Sequence, residues 1–392
     1  MSEINASNFK KEHGDLAPDI VGVTELTSPY FFVPPSGNTA ERPSDCEPGT
    51  LRFNTDHGSL EVFRGKPIGW EQIQRNEIHD GIYPEARGFH VGARPGPGEL
   101  NTLEFIRFAS LGNPIDFGDR IHGINGGNYN QGAFASITRG FVYGGRYPGS
   151  PTAFNNAIEF ITMSTLGDGT DFGDLTQGVQ HPSGVSDKTR GIKMGGLITA
   201  GPAPYMAQGT NVIDFVTMAS QGNAIDFGDT YNSDKYGIDG ACNDRARGVR
   251  FGGGSPAPFG TNIIDYITIQ STGNSVDFGD MKSTTIYNCC ASNSIRGLSA
   301  GDAPNNDASI DAVTISTTGN AVDFGDMSTN IHARQACSSP LKMAIMGGGA
   351  PAYSSNCEFV NISTFGNGVE FGNASAAWGY SHDFSNSHGG LA

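Results

Sequence analysis

The chain has 392 residues, including 56 glycines and 21 prolines, and a formal charge of −16 at pH 7. An acidic chain repels a phosphate backbone, so nucleic-acid binding through a basic groove is excluded, and no run of about 18 apolar residues suggests membrane insertion. The first 20 residues lack the apolar core of a signal peptide, and the six cysteines form no CxxC pair, so we expect free thiols in a protein made in a reducing cytoplasm.

The N-terminal part of the chain is predicted to form a small separate unit. Residues 1–20 are polar and should be a flexible or docked arm. Over 21–78 we expect a β-hairpin module, in which LRFNT and LEVF flank a turn at Asp56-His57-Gly58 and Trp70 caps the sheet. Such a module buries too little surface to stand alone, so it should pack on a copy of itself or on a partner protein. Residues 79–86 are predicted to be a linker.

A repeat occupies the rest of the chain, residues 87–392. The tetrapeptide DFGD begins at Asp116, Asp171, Asp226, Asp277 and Asp323, and a sixth copy, EFGN, begins at Glu370. A β-rich run such as IDFVTM starts 13 residues ahead of each acid, for example 103 to 116. Further upstream stands a segment such as RGFVYGG, which the sixth copy replaces with MAIMGGG.

Each copy carries signals for four strands. The Arg-Gly segment, the alternating run and the DFGD segment are three, with a Gly-Asn or Gly-Asp turn between the last two. A weaker strand is expected in small-residue stretches such as NCCASNSI, where small side chains suit a crowded central axis. Four strands per copy at this period predict propeller blades and argue against a β-helix.

The first copy lacks its small-residue strand, and the C-terminal segment after the sixth copy could supply it. The sequence therefore predicts an all-β chain whose residues 87–392 form a six-bladed β-propeller closed by the C-terminal strand. Closure of this kind removes an open sheet edge.

The Gly-doublet strand and the period resemble kelch-type repeats over residues 87–392, although DFGD stands where the usual blade tryptophan would be. This variant resembles repeats in virion proteins of tailed phages, notably those of marine or cyanobacterial hosts. The pattern ERP…GTLRFNTDHGSLEVFRG…W resembles a β-module of phage fibres.

These resemblances imply a virion structural protein, either a tail fibre or a capsid-attached fibre or decoration. Its N-terminal module would attach it to other virion proteins or to sister subunits in a homo-oligomer, and its propeller would bind a host-surface glycan or protein or a virion partner. The attachment residues implied are Arg52, Phe53, Asn54 and Trp70.

No enzymatic motif stands out beside the repeat. DFGD matches the kinase magnesium motif, but no phosphate loop, β3 lysine or HRD segment accompanies it. Calcium binding by the twin aspartates stays open beside a simpler role as turn residues that cap backbone amides, and we expect no metal or cofactor. The alternative function is a polysaccharide-degrading glycosidase, which needs paired carboxylates. The acids here occupy equivalent repeat positions, so we expect no enzyme.

Loop lengths and aromatic residues indicate the binding face. The connections between the second and third strands, and between one copy and the next, vary in length, and both lie on one face of an up-and-down blade. Aromatic residues in these loops would contact a sugar or a protein, although they also fit ordinary loop positions. The N-terminal unit should emerge from the opposite face. The predicted binding residues are Tyr147, Phe154, Tyr205, Phe259 and Tyr353.

Overall fold

The computed structural model describes thirteen segments of the chain, which contain β-structure and one 3₁₀ turn, Thr39–Glu41. The all-β class is confirmed for these residues, and none of their helical structure is long and apolar enough to cross a membrane. The chain divides into two compact units, Met1–Glu77 and Ile78–Ala392. The described segments are 34–56, 59–66, 69–73, 85–92, 101–121, 130–146, 154–200, 207–231, 240–254, 260–302, 307–349, 351–380 and 382–391.

The N-terminal unit contains one four-stranded sheet, and the predicted hairpin forms its centre, with Leu51 opposite Val62. The sheet surrounds a buried carboxylate, Glu61, which pairs with Arg42 and Arg52 and accepts a bond of 2.7 Å from Asn54 Nδ2. The hydrogen bond from Arg42 lowers the pKa of Glu61. In chain order and in sheet order the strands are Ser36–Gly37, Leu51–Asn54, Ser59–Phe63 and Trp70–Ile73.

Six further four-stranded sheets follow in the described part of the second unit, and we number them I to VI. Neighbouring strands within each sheet are antiparallel, and the short Phe384–Ser385 strand near the C-terminus pairs with Arg87–Val91 to complete sheet I. Leu197–Ala200 and Ala207–Gly209 form an additional two-stranded sheet. From the first to the fourth strand, the sheets are I, Phe384–Ser385, Arg87–Val91, Thr102–Arg107 and Ile115–Asp119; II, Gly132–Ala135, Arg139–Tyr143, Ala157–Thr162 and Thr170–Asp174; III, Ser183–Ser186, Arg190–Met194, Val212–Thr217 and Ile225–Asp229; IV, Gly240–Asn243, Arg247–Phe251, Thr261–Thr268 and Val276–Thr285; V, Cys289–Ser292, Arg296–Asp302, Asp307–Thr314 and Val322–Asp326; VI, Gln335–Ser338, Lys342–Met346, Asn356–Asn361 and Val369–Asn373.

The small-residue stretches form the first strands, and these strands contact one another in a cyclic order. Sheet I touches II, II touches III, and so on to VI, which touches I again. The residues of the first strands are almost all buried, which explains the choice of small side chains there. This arrangement is consistent with the β-propeller class.

The DFGD motif joins each sheet to the next. Its phenylalanine, for example Phe117, is buried in the core between sheets. Its glycine, Gly118, has φ of 148° and leaves no room for a side chain, because a Cβ atom there would lie 2.6 Å from the carbonyl oxygen of Gly167 in the next sheet. The glycine of the motif is therefore required because the backbones of neighbouring sheets approach closely at this position.

The Gly-Asn and Gly-Asp turns make the reciprocal contact. In each case the turn side chain accepts a hydrogen bond of 3.0 or 3.1 Å from the backbone amide of the last DFGD residue in the preceding sheet. The six acceptor and donor pairs are Asp168 and Asp119, Asn223 and Asp174, Asn274 and Asp229, Asn320 and Asp280, Asn367 and Asp326, and Asn113 and Asn373.

The arginine of each Arg-Gly segment provides a second inter-sheet contact. Its guanidinium lies over an aromatic ring and donates to a backbone carbonyl of the next sheet, as in Arg139, which donates to Met218 O at 3.0 Å. In the sixth copy Lys342 takes this place and donates to Phe108 O at 3.2 Å. The sequence reading aligned that copy on MAIMGGG and missed Lys342, because lysine breaks the Arg-Gly pattern.

Candidate binding site at the mouth of the central channel

Five residues with a strained backbone conformation lie just before the first strands of their sheets. Four of them lie two positions before the strand begins, and the fifth lies four positions before the shorter first strand of sheet I. Asn130, His181, Tyr287, Ala333 and Tyr380 all have positive φ angles, between 54° and 66°. Residues other than glycine seldom adopt this conformation, and a bulky residue such as tyrosine is an outlier there. We call these five residues the mouth ring; the equivalent position in sheet IV, residue 238, lies outside the described residues.

Backbone hydrogen bonds connect the mouth ring around the axis. The amide of Asn130 donates to Tyr380 O at 2.9 Å, and that of Tyr380 donates to Ala333 O at 3.1 Å. In the same direction, Ala333 donates to Tyr287 O at 3.0 Å and His181 to Asn130 O at 2.7 Å. These bonds hold the five residues in a conformation that costs each of them about 1 kcal/mol or more.

Three side chains of the mouth ring, His181, Tyr287 and Tyr380, form an aromatic cluster with His332 and Tyr353. The ring centroid of Tyr287 lies 5.8 Å from that of His181, 5.7 Å from Tyr380 and 6.0 Å from His332, which is nearly parallel to it. Tyr353 joins from the side, 6.3 Å from Tyr380. These residues come from sheets I, III, V and VI, so the cluster reaches across the axis.

Three polar atoms at this end are buried without a hydrogen-bond partner among the described residues: Asn130 Oδ1, His181 Nδ1 and His382 Nε2. Burial lowers the pKa of His181 to about 3, with smaller contributions from His382 and Arg146. Burial also lowers the pKa of His382 to about 4. Both imidazoles are therefore neutral at pH 7, and the unpaired nitrogens can donate or accept according to the tautomer.

Below the mouth, polar side chains link the first strands around a cavity of about 50 Å³. Ser186 Oγ donates to Ala135 O at 2.7 Å, and Ser292 and Ser338 repeat this bond to the preceding first strand at the same distance. Asn243 takes the equivalent place in sheet IV and donates to Ser186 O. Ser385 of the C-terminal strand donates to Ser338 O and so joins the series.

The C-terminal tail occupies the other end of this channel. His388 Nε2 lies 3.0 Å from Ala135 O and 3.2 Å from Ser186 Oγ, and the amide of Gly389 donates to Ser292 O at 3.1 Å. Leu391 is buried, and the backbone surrounds Gly389 and Gly390 too closely for any side chain there. The tail therefore fills this end of the described channel.

The structure describes two of the five predicted loop residues. Tyr353 is exposed and joins the aromatic cluster. Phe154 is half-buried and forms a bridge with Arg146. Tyr147, Tyr205 and Phe259 lie outside the described residues. Sequence reasoning missed His181, Tyr287, His332 and Tyr380, although a histidine or tyrosine shortly ahead of several small-residue strands, as in YNCCAS, was a usable signal.

The predicted attachment residues lie in the N-terminal sheet. Arg52 and Asn54 are buried against Glu61, so both stabilise the hairpin. Trp70 Nε1 donates to Pro43 O at 3.0 Å, and its ring packs 5.5 Å from that of Phe63. An attachment role for these residues and for Phe53, which is half-buried, stays a prediction.

The sequence matches no family model and no curated protein. Among the described residues, no group of three or more histidine, cysteine, aspartate or glutamate side chains is placed to hold a metal ion. All six cysteines are free thiols.

Proposed function

We propose that this chain is a phage virion structural protein whose second unit is a six-bladed, kelch-like β-propeller that binds a host-surface or virion partner. The N-terminal unit would anchor it to the virion or to sister subunits. The observation that carries the proposal is the combination of six equivalent sheets in cyclic contact with a set of non-repeated aromatic residues at one end of the axis. A repeated scaffold that presents variable residues at one place is suited to recognition.

The closure of the proposed propeller rests on three contacts across the junction of sheets VI and I. Asn113 bonds Asn373, Lys342 bonds Phe108, and the short C-terminal strand pairs with Arg87–Val91. Each of the first two repeats a contact made at the other junctions, so all six junctions are equivalent.

The acids of the third strands favour a structural role over catalysis. Each sheet places one carboxylate in the same buried position, and several of these bond the backbone of the preceding sheet, as Glu159 does with the amide of Ile121 at 2.9 Å. Others pair with a buried cation, as Asp265 does with Arg250 at 3.0 Å. Carboxylates used in this way support a binding protein rather than a glycosidase.

The direct test is to locate the protein and its effect on adsorption. Antibodies against the full-length protein should label particles of the phage that encodes it, and the purified protein should compete with those particles for host cells. Protein absent from purified particles would refute the virion assignment. Release of new reducing ends from host polysaccharide would instead favour the glycosidase.

A further inference from the structure

We propose that four residues of the mouth ring bind a neutral sugar residue: Tyr287 and Tyr380 pack against its C–H faces, and Asn130 and His181 bond its hydroxyls. This inference rests on the proposed function, because it names the class of ligand that the propeller would recognise. It concerns the end of the axis, a different place from the loop positions predicted from sequence.

The aromatic cluster offers ring surfaces of the kind that sugars contact. Tyr287, His332 and Tyr380 are half-buried residues, and their rings are held by packing against one another. Tyrosine combines an apolar ring with a polar hydroxyl, which suits a ligand with apolar C–H faces and polar edges. Rings held in place lose little side-chain freedom when a ligand binds.

The unpaired polar atoms distinguish this cluster from ordinary packing. Asn130 is 6 % exposed and His181 is 8 % exposed, yet Asn130 Oδ1 and His181 Nδ1 have no hydrogen-bond partner among the described residues. Buried polar atoms in folded proteins are nearly always paired with protein, water or ligand. A sugar hydroxyl can donate to the amide oxygen, and a second hydroxyl can either donate to or accept from the imidazole.

The charges favour a neutral ligand. The two histidines at the site are neutral at pH 7, and Arg146 already has an interaction of its own. The chain carries a formal charge of −16, which repels acidic sugars and phosphates at long range. A neutral hexose or an N-acetylated hexosamine fits these conditions better than a uronic or sialic acid.

The backbone conformation supports the same conclusion and also provides clean variants. Strained residues persist where surrounding structure over-determines them, and they concentrate at ligand sites. Because every mouth-ring residue has positive φ, glycine can replace it without backbone strain. Tyr287→Gly and Asn130→Gly therefore remove a side chain and keep the ring of backbone bonds, and Ala333→Gly is the matched control from the same ring.

The experiment titrates the full-length protein with methyl glycosides of glucose, galactose, mannose and N-acetylglucosamine, using calorimetry and ligand-observed NMR. At least one should bind, Tyr287→Gly and Asn130→Gly should weaken it about tenfold or more, and Ala333→Gly should bind as wild type does. Melting temperatures of all variants establish that they are folded.

Several results would overturn the proposal. One is that the wild-type protein binds none of these sugars. Another is that it binds only glucuronate or sialic acid. The third is that Tyr287→Gly and Ala333→Gly bind the sugar with equal affinity. If wild-type protein still competes with phage particles for host cells in any of these cases, the sugar site is wrong and the proposed function stands. If the sugar binds but the protein is absent from particles, the reverse holds.

Discussion

The side-chain oxygen of Asn113 accepts a hydrogen bond of 3.0 Å from the backbone amide of Asn373, a residue 260 positions further along the chain. Five equivalent bonds join the other neighbouring sheets over 40 to 49 positions. The bond from Asn373 therefore joins sheet VI to sheet I in the same way as the repeat joins the other neighbouring sheets.

Replacing Asn113 should weaken this junction. Asn113→Ala removes the acceptor of an exposed bond, so we expect the free energy of unfolding to fall by about 1 kcal/mol. Asn113→Asp should retain most of the stability, because Asp168 makes the same contact in sheet II. Chemical denaturation of the three proteins measures the difference. Equal losses for the alanine and aspartate variants would show that the acceptor oxygen is not what matters.

Lys342 should behave as the sixth member of the arginine series. Its ammonium lies 5.0 Å from the ring centroid of Phe359 and bonds Phe108 O. Lys342→Met keeps much of the apolar stem and removes the donor, and since the side chain is partly exposed we expect a loss of about 1 kcal/mol. Lys342→Arg should retain full stability or exceed it. Thermal unfolding of both variants tests this, and an arginine variant less stable than the methionine variant would contradict the assignment.

Much of this fold was predictable because its signals are local. Strand alternation and Gly-Asn turns identify the second, third and fourth strands, and DFGD, or EFGN in the sixth copy, marks one contact at each junction between sheets. The C-terminal strand is only two residues, Phe384–Ser385, and its place follows from counting strands rather than from its own sequence. Lys342 was missed because it makes the arginine's contact from a segment that lacks the Arg-Gly pair.

The candidate site was less predictable, for a physical reason. Its residues come from different repeats and differ in type, so no motif connects His181, Tyr287 and Tyr380. Their common feature is a positive φ angle, which is set by the backbone bonds among them. Histidine and tyrosine give no local sign of that conformation, whereas glycine would have done.

Acid should destabilise the second unit through its buried histidines. The pKa of His181 is lowered to about 3, and those of His382 and His388 to about 4, chiefly by burial. A base whose pKa is lower in the folded than in the unfolded state stabilises the protein at any pH above its unfolded pKa of about 6.5. This stability is lost as the pH falls from about 6.5 towards the folded-state pKa. Burial raises the pKa of Asp383, which offsets part of the loss.

We therefore expect the melting temperature to fall between pH 7 and pH 4.5, with each of the three histidines contributing up to about 2 kcal/mol at pH 5. His388→Gln can still bond Ala135 O and cannot titrate, so its melting temperature should depend less on pH than that of wild type. An identical pH dependence would remove His388 from this explanation.

Gly140 should not tolerate a side chain while Phe384 is present. A Cβ atom at Gly140 would overlap the ring of Phe384, which comes from the first strand of sheet I. In sheet VI the residue equivalent to Gly140 is Met343, and it packs in one cluster with the small Ala291 of sheet V. The two positions are thus complementary in size.

From this we expect Gly140→Ala to lower the free energy of unfolding by about 1–3 kcal/mol. Adding Phe384→Ala makes room for the new methyl group, so the two changes together should cost less than the sum of their separate effects. Denaturant unfolding in a double-mutant cycle measures the coupling. Strictly additive losses would mean that the two side chains do not compete for this space.

Stepwise removal of the C-terminus separates the contribution of the tail from that of the closing strand. Deleting 387–392 removes His388 and its neighbours from the channel but leaves Phe384–Ser385 paired with Arg87–Val91, so the melting temperature should fall moderately. Deleting 374–392 also removes Trp378 and Phe384, both buried, and exposes the edge of Arg87–Val91. Because an unpaired edge and two lost aromatic contacts act together, this form should unfold at a much lower temperature and tend to associate. Calorimetry with light scattering distinguishes the two deletions, and a 374–392 deletion that melts as the intact protein does would show that the ring does not depend on this segment for closure.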